Sequence, residues 1–395
     1  MTKIMLPETD GGLAEFVMGP ASTFPQMSPA IAVRTVYAAA HVVMDSHLSH
    51  DPWRAPAVDW DATMAFRRHL WSLGFRIAEA MDTAQRGMGL HWSGAKELIR
   101  RSLAESRTVP GADLACGAGT DQLDPAEATS LDDVIRAYEE QLEHIEACGG
   151  RAILMASRAL CRLARSRDDY LHVYGRLIES ARGPVILHWL GDMFDAQLAG
   201  YWGSGDVPTA MQTALDLIDA HRSKIDGIKI SLLDQAHEET MRARLPDSVK
   251  MYTGDDFNFA RTIEGDGQRH SHGLLGIFDP IAPAAAAAFA RLAAGDVEGY
   301  RRILAPTVPL SRRIFEAPTQ FYKAGVVFLA WLNGHQDHFH MLAGMESARG
   351  LLHYADVFRL ADRAALFTDP ERAAVRMRNL TTTYGIDSSL STRPR

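Results

Sequence analysis

A lysine stands where a soluble chain rarely places one. Lys229 lies within the apolar run DGIKIS, flanked by Ile228 and Ile230. Burying an ammonium is costly, so such a residue is either neutralised by a carboxylate inside the fold or kept for its chemistry. Burial lowers the pKa of an amine, and a neutral amine attacks a carbonyl carbon to form an imine. The strand alone leaves both readings open. Upstream, PVILHW ends near His188, whose imidazole can move protons near neutral pH. A core histidine bonded to backbone is the other reading of that residue.

The elements that must position these groups are short apolar runs alternating with amphipathic helical patterns. The runs are Val36–Met44, Arg76–Met81, Ala112–Gly117, Arg151–Ala156, Pro184–Trp189, Gly227–Ser231, Val249–Thr253 and Gly273–Phe278. Each is continuous rather than alternating, as expected for strands covered on both faces. Strand–helix alternation predicts a parallel sheet, and eight units close into a (β/α)8 TIM barrel of the α/β class. An open doubly wound sheet would carry a Gly-rich phosphate turn after its first strand, and none is present. From Ala282 the pattern is helical. The expected divisions are an N-terminal segment (1–29), the barrel (30–280), a helical C-terminal extension packed on it (281–372) and a flexible tail (373–395).

In a barrel the reacting groups lie at the C-terminal ends of the strands. That rule brings Asp82 and Thr83 after the second strand, Thr120 and Asp121 after the third, and Arg158 after the fourth. His188 and Lys229 fall on the fifth and sixth strands, with Asp255 and Asp256 after the seventh. The GDD run is equally a tight turn closing its strand. Trp189 and Trp202 have the chemistry to stack on a sugar ring, or to fill core. Two His/Asp clusters suggest a divalent metal instead: Asp45, His47, His50 and Asp51, and His335, Asp337, His338 and His340. On that alternative His188, Asp255, His338 and His340 supply ligands, although neither cluster has a strong metal-binding spacing. His270 and His272 precede the eighth strand, at the end of the barrel where stability readings prevail.

The stretch GPVILHWLGDMF, then DGIKISLLD, then VKMYTGDD, resembles the class I aldolase superfamily of dihydrodipicolinate synthase and N-acetylneuraminate lyase. That family carries its Schiff-base lysine in a GxK motif on the sixth strand. GFRIAEAMDTAQRGMGL is similar to the family's GTTGE segment, with Thr83 on its second threonine, and DLACGAGT to its third strand. SHGLLGIFDPIAPAAAAAFARLAAGD, followed by RRILAPTVPLSRRIF, is similar to the eighth strand and the C-terminal helices. The likeness spans about residues 30–330, and its strength is the order and spacing of the motifs. The departures matter too. His188 replaces the strand-5 tyrosine, the carboxylate-holding arginine falls near Met193, and the strand-4 tyrosine is missing, with Arg158 close to its position.

The resemblance implies a Schiff-base lyase: an aldolase, decarboxylase or dehydratase acting on a small oxo compound, for example a sugar-derived keto acid, without a cofactor. It implies Lys229 as nucleophile, with His188 and Thr83 moving protons. Asp82, Arg158, Asp255 and Trp189 are the expected substrate contacts, Arg158 binding a carboxylate or phosphate. A homodimer or homotetramer is implied as well. A metal-dependent aldolase or isomerase on the same barrel is the second hypothesis, and a non-catalytic small-molecule sensor the third.

The whole-chain numbers narrow the field. The 395 residues are 47% hydrophobic and 23% charged, a globular composition. With a net charge of −8 and no basic stripe, nucleic acid is not an expected partner. No run has the length of a membrane span, and the N-terminus lacks a secretory pattern. The three scattered cysteines, Cys116, Cys148 and Cys161, fit a reducing compartment. The expected location is the cytoplasm.

Overall fold

The computed structural model describes residues 2–48, 51, 53–54 and 57–386. Two short strands open the chain, β1 (Lys3–Pro7) and β2 (Leu13–Val17), paired antiparallel with Leu6 opposite Ala14. The eight expected barrel strands follow: β3 (Val36–Ala39), β4 (Arg76–Glu79), β5 (Leu114–Ala118), β6 (Ala152–Leu154), β7 (Val185–Leu190), β8 (Ile225–Ser231), β9 (Lys250–Thr253) and β10 (His272–Leu275). They close in the order β10-β3-β4-β5-β6-β7-β8-β9, every pair parallel. This is a (β/α)8 TIM barrel with extra helices at its C-terminus.

Closure creates two cores. Side chains at alternate strand positions point inward, and Tyr37, Ala78, Ala115, Ile153, Ile186, Tyr252 and Leu274 plug the barrel interior. The intervening positions belong to a larger core between the strands and the surrounding helices. Which face Lys229 occupies is fixed by a register shift at the start of the β7–β8 pair. Val185 pairs with Ile225 and Ile186 with Gly227, so Asp226 is an extra residue on β8. From there His188 pairs with Lys229, and Gly227, Lys229 and Ser231 share the inward face.

The helices form for local reasons. Ser130 caps Leu131–Ala147 and exchanges bonds with Asp133, a capping box. Asp206 caps Val207–His221 with Pro208 in its first turn. The C-terminal region contains the helices Ala282–Ala293, Val297–Leu304, Thr307–Ile314, Tyr322–Leu332 and Leu351–Arg363.

Both ends of the chain depart from expectation. The tail expected to be flexible from residue 373 continues a helix, Pro370–Thr383. Asp369 caps it, Pro370 opens it, and Ala373, Ala374 and Met377 are buried at helical spacing. Residues 387–395 lie outside the described residues. The N-terminal segment is a docked hairpin: Arg359 donates to the Pro7 carbonyl, Asp362 accepts from the Gly19 amide, and Phe16 packs edge-on against Phe358. Among the described residues no helix is long and apolar enough to cross a membrane.

Candidate active site

At the C-terminal mouth of the barrel lies a small cavity of about 10 Å³, room for one water, lined by Asp82, Thr83, Lys229, Ser231, Asp256 and Tyr322 among others. Lys229 is 8% exposed. Among the described residues no carboxylate lies within ion-pair distance of its ammonium, and no hydrogen bond holds it. Burial lowers its pKa, opposed by the charges of Asp82 and Asp256. Burial also lifts the Asp256 carboxyl above the usual carboxylate range, opposed by the Lys229 charge. The two charges therefore act on each other without an ion-pair contact between them. Asp256 is held in place by the Ile277 amide, which donates to its Oδ1 at 3.0 Å.

The passage for the lysine side chain is made by an absence. A Cβ on Gly254 would sit 2.7 Å from Lys229 Cε and 2.2 Å from Ser231 Oγ. Only glycine at the end of β9 lets the amine cross to the cavity. On the opposite wall a Cβ on Gly276 would come within 3.0 Å of the Tyr322 ring and 3.2 Å of Thr83 Oγ1.

Two polar pairs face the amine. Thr83 Oγ1 and Tyr322 OH are 2.8 Å apart, in a short helical turn after β4 and at the start of helix Tyr322–Leu332. Burial, reinforced by Asp82, pushes the Tyr322 phenol well above its ordinary range, so it stays protonated and able to donate. Phe315 stacks on its ring at 4.3 Å. His188 is fully buried and lies 3.3 Å from Ser231 Oγ through Nε2, while its Nδ1 has no partner. Burial and the Lys229 charge hold this imidazole well below its ordinary pKa, hence neutral. A neutral imidazole next to a serine hydroxyl can orient that hydroxyl.

The structure brings Lys229, Thr83 and Asp82 together at the cavity, with His188 one hydrogen bond behind it. Other expected contacts go elsewhere. Arg158 opens the helix Arg158–Leu163 and is ion-paired at the surface with Asp195 at 2.5 Å. Asp255 closes a turn, accepting from the amides of Phe257 and Asn258 and from the Asn258 side chain; its neighbour Asp256 takes the cavity position. Trp189 faces the outer core, 3% exposed and edge-on to Trp202, which stacks on Tyr174. No room for a sugar ring exists there.

The metal alternative finds no assembled ligand set. Among the described residues no group of three or more His, Cys, Asp or Glu is arranged to hold an ion. His338 and His340 lie beside each other, the latter bonded to Glu346 at 3.0 Å, while His188 and Asp255 have the barrel partners already given. Asp45 accepts from the amides of His47 and Leu48 in a turn, and His50 lies outside the described residues. His272 accepts from the Thr35 amide at 2.8 Å, a structural bond at the far end of the barrel.

Sequence reasoning missed Ser231, Tyr322 and the choice of Asp256. Ser231 was legible, two residues beyond Lys229 on the same face of a strand. Tyr322 carried no signal, because its place depends on how the C-terminal region packs over the barrel mouth.

Comparison with known proteins agrees with the barrel fold. A search of curated proteins returns no match. Among solved structures, the chain is similar to YagE, a prophage protein of the dihydrodipicolinic acid synthase family from E. coli K12 in complex with pyruvate. That match has 14% identity and a TM-score of 0.64, over 84% of this chain and 99% of that one. Dihydrodipicolinate synthase from Acinetobacter baumannii, complexed with pyruvate, matches at 16% identity and a TM-score of 0.61, over 85% and 100%. The enzyme from Aquifex aeolicus matches at 13% and 0.59, over 89% and 98%. At these identities the likeness establishes the dihydrodipicolinate synthase fold. The family model described as "Protein of unknown function (DUF993)" matches residues 4–386, and the chain belongs to that family.

Proposed function

We propose that the protein is a Schiff-base-forming lyase of the class I aldolase type, acting on a small oxo compound through Lys229. One observation carries the reading: a buried ammonium in the barrel mouth with no ion pair among the described residues, its pKa lowered by burial. A structural lysine would be neutralised where it stands.

The neutral Lys229 amine attacks the carbonyl carbon, and the carbonyl oxygen takes up a proton to give a carbinolamine. Tyr322 OH, relayed through Thr83, supports delivery of that proton at one side of the cavity. Asp256 supports removal of the N–H proton that the nitrogen must lose once attack leaves it positively charged. Protonation of the carbinolamine hydroxyl and loss of water, with the nitrogen lone pair forming the C=N bond, leave an iminium cation. The iminium then accepts the electron pair of a bond one carbon away, and a C–C or C–H bond breaks to give an enamine. Reprotonation and hydrolysis return the amine and release the product. The Ser231–His188 pair is suited to orient a hydroxyl at the reacting atoms, since His188 is neutral and meets Ser231 through Nε2.

Borohydride reduction in the presence of an oxo substrate tests the imine. A mixture of small aldehydes and ketones with sodium borohydride should leave a stable mass increase on the peptide containing Lys229, and none in Lys229→Ala. Labelling elsewhere, or none with any carbonyl compound, sinks the proposal.

A further inference from the structure

The charges that line the barrel-mouth cavity are unbalanced. Asp82 and Asp256 bring two carboxylates, and among the described residues Lys229 is the single cation of the lining. Arg158 is paired with Asp195, Lys323 donates to the Gln320 carbonyl at 3.0 Å, and neither lines the cavity. The Ile277 amide, in the loop after β10, is already spent on Asp256 Oδ1, so it is not left to hold an oxyanion. The acceptors, by contrast, are unused. Among the described residues the Asp82 carboxylate accepts no hydrogen bond, and Asp256 Oδ2 accepts none either. Leu190, Phe194 and Phe315 supply apolar wall. Of the lining residues only Asp82 and Phe194 are partly exposed, so entry from solvent passes the Asp82 carboxylate.

We infer that the substrate is an uncharged hydroxylated carbonyl compound, a short hydroxyaldehyde or hydroxyketone, whose hydroxyls donate to Asp82 and Asp256. This rests on the Schiff-base reading of Lys229. Attack requires the amine to be neutral, and at that moment the lining carries no positive charge. An incoming carboxylate or phosphate then meets two carboxylates and no second cation, and like charges repel strongly in a poorly solvated site. A hydroxyl carries no such penalty. It donates to a carboxylate oxygen that lacks a partner, and a bond to an ionised acceptor is stronger than one between neutral groups. A substrate ammonium would suit the carboxylates too. The iminium formed on Lys229 is itself a cation, however, and opposes a second positive charge beside it. The cavity must widen to admit the substrate, and Phe194, the partly exposed apolar wall, is the side that can yield.

Borohydride trapping at Lys229 with matched ketones tests this. Each half-maximal concentration is divided by that for Nα-acetyl-lysine in the same buffer, which removes differences in carbonyl reactivity. On that scale dihydroxyacetone should trap at a concentration about tenfold or more below dihydroxyacetone phosphate and below pyruvate, and hydroxyacetone about threefold or more below acetone. In Asp82→Asn the penalty on the phosphate should fall to about threefold or less, while the hydroxyl preference remains because the amide carbonyl still accepts. An anionic probe trapped as well as its neutral partner, hydroxyacetone no better than acetone, aminoacetone better than hydroxyacetone, or a phosphate penalty unchanged in Asp82→Asn would overturn the inference. The comparison on the native protein decides the matter if Asp82→Asn fails to fold. A second arm does not need the imine. With Lys229→Met protein, saturation-transfer NMR should show dihydroxyacetone bound and dihydroxyacetone phosphate not bound at equal concentration. That contrast, without trapping of any ketone at Lys229 in the native protein, refutes the imine alone. Phosphate bound as well as dihydroxyacetone, or neither bound, refutes the uncharged substrate class.

Discussion

Two buried cations at the barrel wall have opposite surroundings. Arg67, on the helix Trp60–Ser72, is fully buried outside the barrel and forks onto Glu79 at 2.9 and 3.0 Å. It also donates to the carbonyls of His41 and Thr63, and Ser102 completes the Glu79 carboxylate. Lys229, inside the barrel, has carboxylates nearby but no bond to either. A saturated ion is a rivet, since everything it can offer is already used. An unsaturated one gives up its proton more readily, and so yields the lone pair that a nucleophile requires.

Replacing each cation by methionine separates these roles most sharply. Lys229→Met should abolish turnover and borohydride labelling while leaving the melting temperature unchanged or higher, because an unpaired buried charge is removed. Arg67→Met should cost about 3–5 kcal/mol in denaturant unfolding by stranding Glu79. Loss of stability in the lysine variant, or none in the arginine variant, would erase the distinction. A smaller effect is expected from Gly254→Ala. The added methyl meets Ser231 Oγ, the Ile230 carbonyl and Lys229 Cε, so the strand ends must shift with the amine, and displacing the amine by about 1 Å should lower turnover on the order of 10²-fold. Turnover within a few-fold of native would show that the amine does not need that passage.

The smallest effect concerns a third buried group, Glu238, which accepts from Thr253 at 2.7 Å and Ser271 at 2.6 Å outside the barrel. Burial raises its pKa from 4.5 to about 7. The folded protein then holds this proton more tightly than the unfolded chain. Its contribution is therefore full below about pH 4.5 and declines as pH rises toward about 7. Glu238→Gln should flatten that part of the stability–pH curve. An unaltered slope would mean that Glu238 is ionised in the folded state.

The strands were legible because both faces of each are covered, so their apolar runs stand out. Their ends were less so: Val36–Met44 reads as one run, yet pairing stops at Ala39, since His41 to Met44 are buried in the loop beyond rather than in the sheet. Lys229 and Thr83 were legible from residue type and strand position. Asp256 was not separable from Asp255, because the alternation of faces ends at Gly254 and a turn decides which carboxylate points inward. The hairpin Lys3–Val17 and the helix Pro370–Thr383 were missed because each packs partly on the other, across nearly the whole sequence.

Tyr322 follows the eighth strand by some way in the sequence, while Lys229 precedes that strand. On the proposed mechanism, a chain interrupted after the eighth strand would carry the nucleophile without its proton donor, so the helices beyond the barrel are part of the chemistry and not an ornament to the fold.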